Sequence, residues 1–467
     1  MVGEGSSRRA FFRLAGGMAA AGWLAKPAQA AAWDEAGRIV ARIKPPVFPK
    51  RDFEVTRQGA VGDGRTDCSQ AIARAVAECN RSGGGRVVVP AGVFFTGPIR
   101  LKSNVNLHLA EGCTLKFSRD PKRYLPVVYT RWEGIECLNY SPLIYADGEE
   151  NLAVTGGGTL DGQADCEHWW PWKARENCGW RPGVPRQDEA RNALFEMGAT
   201  DVPIEKRIFG EGHYLRPNLF GPCRSKNILL EGVTVKDSPM FEVSPLLCSN
   251  VTIRNVNIVG HGPNTDGCDP DSCTDVLIEN CTFDTGDDCI AIKSGRNADG
   301  RRLHAPSENL IVQNCAMKDG HGGVTMGSEC SGDIRNVFAQ DCQMDSPNLD
   351  RVFRFKDNAI RGGVIEHAYM RNVKCGQVAT AAIDVDFHYE EGEKGPFTPV
   401  VRDVEVVNLT VKKCANAWSL RGFKNAPISN IRLKNCTFEN AAKPAVTENV
   451  QGLTLENVTV NGQKVSA

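Results

Sequence analysis

Several things are scarce or missing in this 467-residue sequence, and each absence narrows its function. There is no excess charge of either sign: 55 basic side chains face 56 acidic ones, for a net charge of −1. That balance leaves no electrostatic footprint for DNA or RNA, so no nucleic-acid partner is expected. No apolar run of transmembrane length occurs beyond the first thirty residues, and no membrane role is expected. No CxxC pair and no Cys/His spacing of zinc-site type appears, so no metal and no cofactor is expected.

Cysteine itself is abundant, with 18 in the chain, and the N-terminus bears on how to read it. The opening segment has paired Arg8 and Arg9, then Phe11 and Phe12, a modestly apolar Ala/Gly-rich run, and Ala28-Gln29-Ala30 as a small-x-small cleavage pattern. It resembles a bacterial twin-arginine export signal over residues 1–30, removed before the mature chain works in the periplasm or outside the cell. An exported chain rich in cysteine first suggests disulfides. Twin-arginine substrates cross already folded, however, so thiols can be packed beforehand as small apolar side chains.

The C-terminal half repeats itself. Nine segments fit one nine-residue template, from "NILLEGVTV" at 227 through "DVLIENCTF" at 275 and "NIRLKNCTF" at 430 to "GLTLENVTV" at 452, with successive starts 22 to 36 residues apart. A period of that size means a solenoid whose excess length sits in loops. Positions two, four, seven and nine are mostly apolar, which is strand alternation broken by a bend. Position six reads Gly232, Asn255, Asn280, Asn314, Asp341, Asn372, Asn408, Asn435 and Asn457. Asn tolerates left-handed backbone and hydrogen-bonds along stacked turns, so the pattern predicts a parallel β-helix. Position seven includes Cys281, Cys315, Cys342 and Cys436, expected to point into the core.

Upstream, residues 63–85 carry Ala, Val and Ile at helical spacing and predict a short helix capping the open end of the solenoid. Residues 162–217 break the pattern with a Pro- and Trp-rich segment containing "HWWPW", expected to be a loop insertion. The expectation is all-β: a single-domain right-handed parallel β-helix over 31–467, acting as a monomer.

Candidate site residues follow from offsets. Asp287 lies twelve residues after the start of its template, His321 twelve after the start of the next, and each follows a glycine. Equal offsets in adjacent coils place residues about 5 Å apart. Asp266 lies in the preceding coil and Asp288 beside Asp287. The following coil adds Arg354 and Lys356, two apart and therefore on one face of a strand. Crowded carboxyls raise one another's pKa, which supplies the protonated acid and ionised base that glycosidic hydrolysis needs. The flanking cations suit a substrate that is itself a sugar acid.

"NTDG" at 264, "GDD" at 286, "GHG" at 320 and "RFK" at 354, in that order on a β-helix, resemble the polygalacturonase-like family 28 glycoside hydrolases. The likeness covers roughly residues 50–460, with Phe355 standing where isoleucine is usual. It implies inverting hydrolysis of α-1,4-galacturonosyl bonds in a pectic polysaccharide or oligogalacturonide. Asp287 would be the general acid, Asp266 and Asp288 would activate water, and His321 would tune the acid. Arg354, Lys356 and Tyr389 would bind substrate. The insertion, with Arg296 and Arg302, suggests exo action from a closed pocket releasing galacturonate. A hydrolase of rhamnogalacturonan or substituted galacturonan remains the alternative.

Overall fold

The computed structural model describes residues 28–466. The export signal and its twin arginines lie outside the described residues, apart from Ala28, Gln29 and Ala30. The chain winds into a right-handed parallel β-helix whose largest sheet has 25 strands. One strip of the solenoid stacks Val105–Leu109, Glu150–Gly156, Lys226–Glu231, Ser249–Arg254, Thr274–Glu279 and Ser307–Gln313 in parallel register. A second stacks Cys113–Phe117, Thr159–Asp161, Thr234–Lys236, Asn257–Gly260 and Thr282–Thr285. A third includes Ile290–Ile292, Val324–Met326, Phe353–Lys356 and Ala381–Asp386; it carries Arg354 and Lys356, and the candidate acids and His321 lie in the bends leading into it.

All nine position-six residues have positive φ, between 52° and 78°. From Asp341 onward their side chains form a continuous ladder, for example Asn408 Nδ2 to Asn372 Oδ1 at 2.9 Å and Asn457 Nδ2 to Asn435 Oδ1 at 2.9 Å. A second ladder occupies template position one, where Asn227 donates to Asn151 at 2.9 Å and Asn250 to Asn227 at 2.8 Å. Each coil thus turns at two left-handed corners that only Asn, Asp, His and Gly fill here.

Sixteen of the 18 cysteines are buried, and all are free thiols. Burial pushes the Cys113 and Cys375 thiols up to about 12, so they pack as inert apolar groups.

Helix α2 (Ser69–Arg81) is the predicted cap: Ile72, Ala75, Val76 and Cys79 join the core at the first coils. Helix α1 (Ala28–Arg42) was not foreseen. It lies outside the solenoid, packing Ala36, Ile39 and Ile43 on Leu277, Ile311 and Phe338, outward residues of three successive coils. Trp33 stacks edge-on against Phe338 at 5.5 Å, beneath the Arg371 guanidinium. Arg42 pairs with Asp275 at 2.7 Å. Trp33→Ala is expected to cost about 2 kcal/mol, read as a lower denaturation midpoint with activity retained.

The insertion contains helix α3 (Asp188–Ala199) and an aromatic cluster of its own. Trp172 meets Trp169 at 5.0 Å, Tyr214 at 5.1 Å and Tyr140 at 6.2 Å. Trp170 donates to the Ser238 carbonyl at 3.0 Å and fills the space over Gly262. These tryptophans hold the insertion to the solenoid.

Candidate active site

The three acids stand where the strand pattern breaks. Asp287 and Asp288 lie in the bend between Thr282–Thr285 and Ile290–Ile292. That bend lets adjacent residues face one site. Gly286 permits it through close packing, because a Cβ there would sit 2.5 Å from the Gly262 carbonyl oxygen. One carboxyl oxygen from each of Asp266, Asp287 and Asp288 lies within 4.8 Å of the other two.

The offset argument is met directly. His321 N donates to the Asp287 carbonyl at 3.1 Å, and His321 Nδ1 is 2.9 Å from Asp287 Oδ1. Arg354 and Lys356 turn to the same face. They bind opposite oxygens of Asp288, Arg354 at 3.2 Å and Lys356 at 2.7 Å, and Thr325 Oγ1 donates to it at 3.0 Å. Phe355 points inward and is fully buried against Phe353. The Tyr389 ring lies beside both cations, 5.4 Å from Lys356 Nζ.

A cavity of about 210 Å³ opens over these groups, the volume of roughly seven liquid waters. Its lining includes Asp266, Asp287, His321, Arg354, Lys356, Tyr389 and Arg296. Arg296 is paired with acids, 3.0 Å from Glu329 and 3.2 Å from Glu390. Arg302 does not join them. It sits on the short helix α4 (Asn297–Leu303), which turns it toward the insertion, where it pairs with Asp201 at 2.9 Å and with the Gly198 carbonyl.

Sequence reasoning missed several members. Lys293 is buried among Glu329 at 3.1 Å, Asp269 at 3.4 Å and Asp266 at 3.7 Å, over the Phe241 ring. Asn264 Nδ2 is 3.4 Å from Asp287 Oδ2. Arg216, fully buried, donates to Asn264 Oδ1 at 2.9 Å and to the Pro263 carbonyl at 2.6 Å, fixing the turn that carries Asp266. "IAIKSG" right after "GDDC" was the one available signal for Lys293, since strand alternation places it on the same face as Ala291.

These surroundings divide the protons. Burial pushes Asp266 well above the usual carboxylate range, and the charges of Asp269 and Asp287 add to that; it is held neutral. Burial also raises Asp269, to about 8 against the pull of Lys293. Asp287 is buried too, but the hydrogen bond and charge of His321, with Lys356 and Lys293 beyond, hold it below its ordinary range. Burial of Asp288 is likewise outweighed, by Lys356 and Arg354. The hydrogen bond to Asp287 raises His321, against its burial. Among the three acids the proton is therefore held most tightly by Asp266, while His321 and Asp287 each favour the charged form of the other.

Two expectations follow. The alkaline limb of the pH–rate profile should lie above the ordinary imidazole value of about 6.5, where the His321–Asp287 pair loses its proton. In His321→Gln the proton on Asp287 must be held without the imidazole, so that limb should fall by about one unit or more. A pH series of kcat/KM on both proteins checks the direction. Second, two of the three acids a divalent ion would need already have oxygens held by side chains: Asp288 by Arg354, Lys356 and Thr325, Asp287 by His321. Activity should be unchanged in excess EDTA.

The glycosyl hydrolases family 28 sequence profile matches residues 211–463, more than half the chain. A crystal structure of an exopolygalacturonase from Thermotoga maritima superposes with a TM-score of 0.90 at 45% identity, covering 92% of this chain and 96% of that one. A "Probable polygalacturonase" of Vitis vinifera is 28% identical over 418 residues, 85% of this chain and 76% of the relative. An exopolygalacturonase of Zea mays is 24% identical over 428 residues, covering 87% of this chain and 89% of its own. A parallel β-helix with three clustered carboxyls and paired cations, matched along this length, places the chain in glycosyl hydrolase family 28 as a glycoside hydrolase.

Proposed function

We propose that this protein is an exo-acting polygalacturonase: it hydrolyses α-1,4-galacturonosyl bonds at chain ends and releases galacturonate. One observation carries the exo reading. Lys173, Arg175 and Arg191 of the insertion line the same cavity as Asp266 and Asp287, so one end of the substrate groove is walled. The names of the matched exopolygalacturonases agree with it.

Asp287 is the best-placed proton donor, because its side chain is 17% exposed while those of Asp266 and Asp288 are 4% and 0% exposed. Its proton comes from His321, 2.9 Å away. As the C1–O bond breaks, the leaving oxygen takes that proton. A water held beside Asp266 attacks C1 and gives its own proton to Asp288, the ionised member of that pair. Arg354 and Lys356, already poised on Asp288, take the carboxylate of the leaving sugar beside Tyr389.

Inversion needs its own argument. Carboxyl oxygens within 4.8 Å are closer than the roughly 6.5–9.5 Å between carboxyls usual for inverting enzymes, so spacing alone would favour retention. Against that, Asp288 is fully buried with both oxygens engaged, and Asp266 is held neutral. Neither is a free nucleophile, which leaves water to attack. The same proton on Asp266 favours a second assignment, in which Asp266 is the donor and Asp287 the base.

The decisive experiment is a time course on polygalacturonate, resolved by product size and by the anomer first formed. Saturated monogalacturonate of inverted configuration is expected from the earliest points. A ladder of oligomers would sink the exo reading, and retained configuration would make a carboxylate the nucleophile. Export by the twin-arginine route is proposed on Arg8, Arg9 and Ala28-Gln29-Ala30. Replacing both arginines with lysine should keep the protein in the cytoplasm, as fractionation would register.

A further inference from the structure

The cavity has two charged walls, and the proposed reaction uses only one of them. Arg354, Lys356 and Tyr389 form the wall on the later coils. The opposite wall is built by the insertion and by a hairpin turn from earlier in the chain.

That turn joins the antiparallel strands Val128–Trp132 and Ile135–Asn139, and it presents Glu133 to the cavity. Glu133 is only 8% exposed and has φ of 42°, a left-handed conformation that costs a non-glycine residue energy. Gly134 follows at φ 82°, with the backbone nitrogen and Cβ of Arg296 so near that a side chain at 134 would sit 2.8 Å from each. The backbone is strained and squeezed to deliver one carboxylate.

Around Glu133 stand Arg191 at 2.8 Å, Arg296 at 3.7 Å and Lys173 at 3.8 Å. Burial pushes Glu133 up, but Lys173, Arg191 and Arg296 overcome this and keep it ionised. Phe195 of α3 lies under both Arg191 and Arg296, each guanidinium 4.3 Å from its ring, so the insertion and the solenoid are clasped through one aromatic face. Arg175 differs from its neighbours. It lines the cavity, yet its guanidinium has no ion-pair or hydrogen-bond partner among the described residues.

We infer that this second wall is the subsite for the chain-terminal sugar acid: Arg175, backed by Lys173, takes its carboxylate, while Glu133 accepts hydrogen bonds from its free hydroxyls and bars the path beyond. A terminal galacturonate brings both a carboxylate and an unsubstituted hydroxyl. An internal residue would have to carry a further sugar acid past Glu133, carboxylate against carboxylate. The subsite explains why the proposed cleavage would release a single sugar, and it rests on the exo reading given above.

The test compares an aryl α-galacturonide with the matching aryl α-galactoside, which carries CH2OH in place of the carboxylate. Each is followed as a substrate, or as a competitive inhibitor of polygalacturonate hydrolysis if it is not turned over. Arg175→Ala should cost about 10- to 100-fold on the acid, mainly in KM or Ki, and much less on the neutral sugar. Arg175→Lys should recover part of the loss. Equal losses on both sugars, or no loss on the acid, would overturn the inference. Arg175 is exposed, so its replacement leaves the core intact. Glu133→Gln keeps the shape of the stop and removes its charge. It should admit internal bonds, seen as products longer than one sugar, and strictly monomeric product at unchanged KM would count against the stop. Oligomers already made by the unaltered enzyme would reject exo action itself, a result separate from either variant.

Discussion

Asp287→Asn is expected to lower kcat on polygalacturonate by about 10³- to 10⁴-fold, the upper range for losing a general acid. The informative quantity is how that loss depends on the leaving group. A sugar hydroxyl needs a proton as its bond breaks, whereas a nitrophenolate hardly does. On an activated aryl α-galacturonide the Asp287→Asn enzyme should therefore recover most of its rate. Asp266→Asn should lose a similar factor on both substrates, because water activation is needed whatever departs. Added azide should restore that variant by acting as a nucleophile that needs no base. If the two patterns exchange, Asp266 is the donor and Asp287 the base, as the proton held on buried Asp266 allows. The amide replacements keep the shape of both side chains, so the comparison reads chemistry rather than folding.

Lys293→Met should produce the second large effect, on activity and stability together. The ammonium is buried and holds Asp266, Asp269 and Glu329 within 3.7 Å. Removing one member of a buried charge cluster typically costs about 3–5 kcal/mol, and activity should fall at least about 100-fold as the acids rearrange or take up protons. The pH dependence distinguishes this from ordinary loss of packing. Asp269 already binds its proton up to about 8 in the folded protein, against about 3.9 unfolded. Between those values the native state binds more protons than the unfolded one, so stability falls as pH rises. Without Lys293 the folded value climbs further, so the fall continues to higher pH. Denaturation midpoints at pH 7.5 and pH 9.5 should separate more widely in the variant than in the parent, and a constant offset would mean the lysine acts only by packing.

The features legible in the sequence were those set by a repeating local geometry. Nine Asn, Asp or Gly residues at template position six, all left-handed in the structure, announced the solenoid, and equal offsets alone put His321 against Asp287. Strand alternation alone turned Arg354 and Lys356 to one face. What escaped depends on which coil faces which loop. Glu133, Lys173 and Arg175 come from a hairpin and an insertion that share no template. Arg302 was misjudged because a seven-residue helix, α4, turned it away from the cavity. Helix α1 had a signal that went unused: Leu277, Ile311 and Phe338 all occupy outward position three, where an apolar stripe on a solenoid calls for a cover.

Trp170 carries a consequence for the history of such an enzyme. Its ring fills the space over Gly262, two residues before Asn264 and four before Asp266. The segment that walls the groove is thus also the floor beneath the turn bearing a reacting carboxyl. A descendant that discarded the wall to cut chains in their middle would leave a hollow under its own chemistry. It would have to refill Gly262 with a side chain in the same step, so passage between end-cutting and mid-chain cutting in this lineage needs coupled changes rather than a simple deletion.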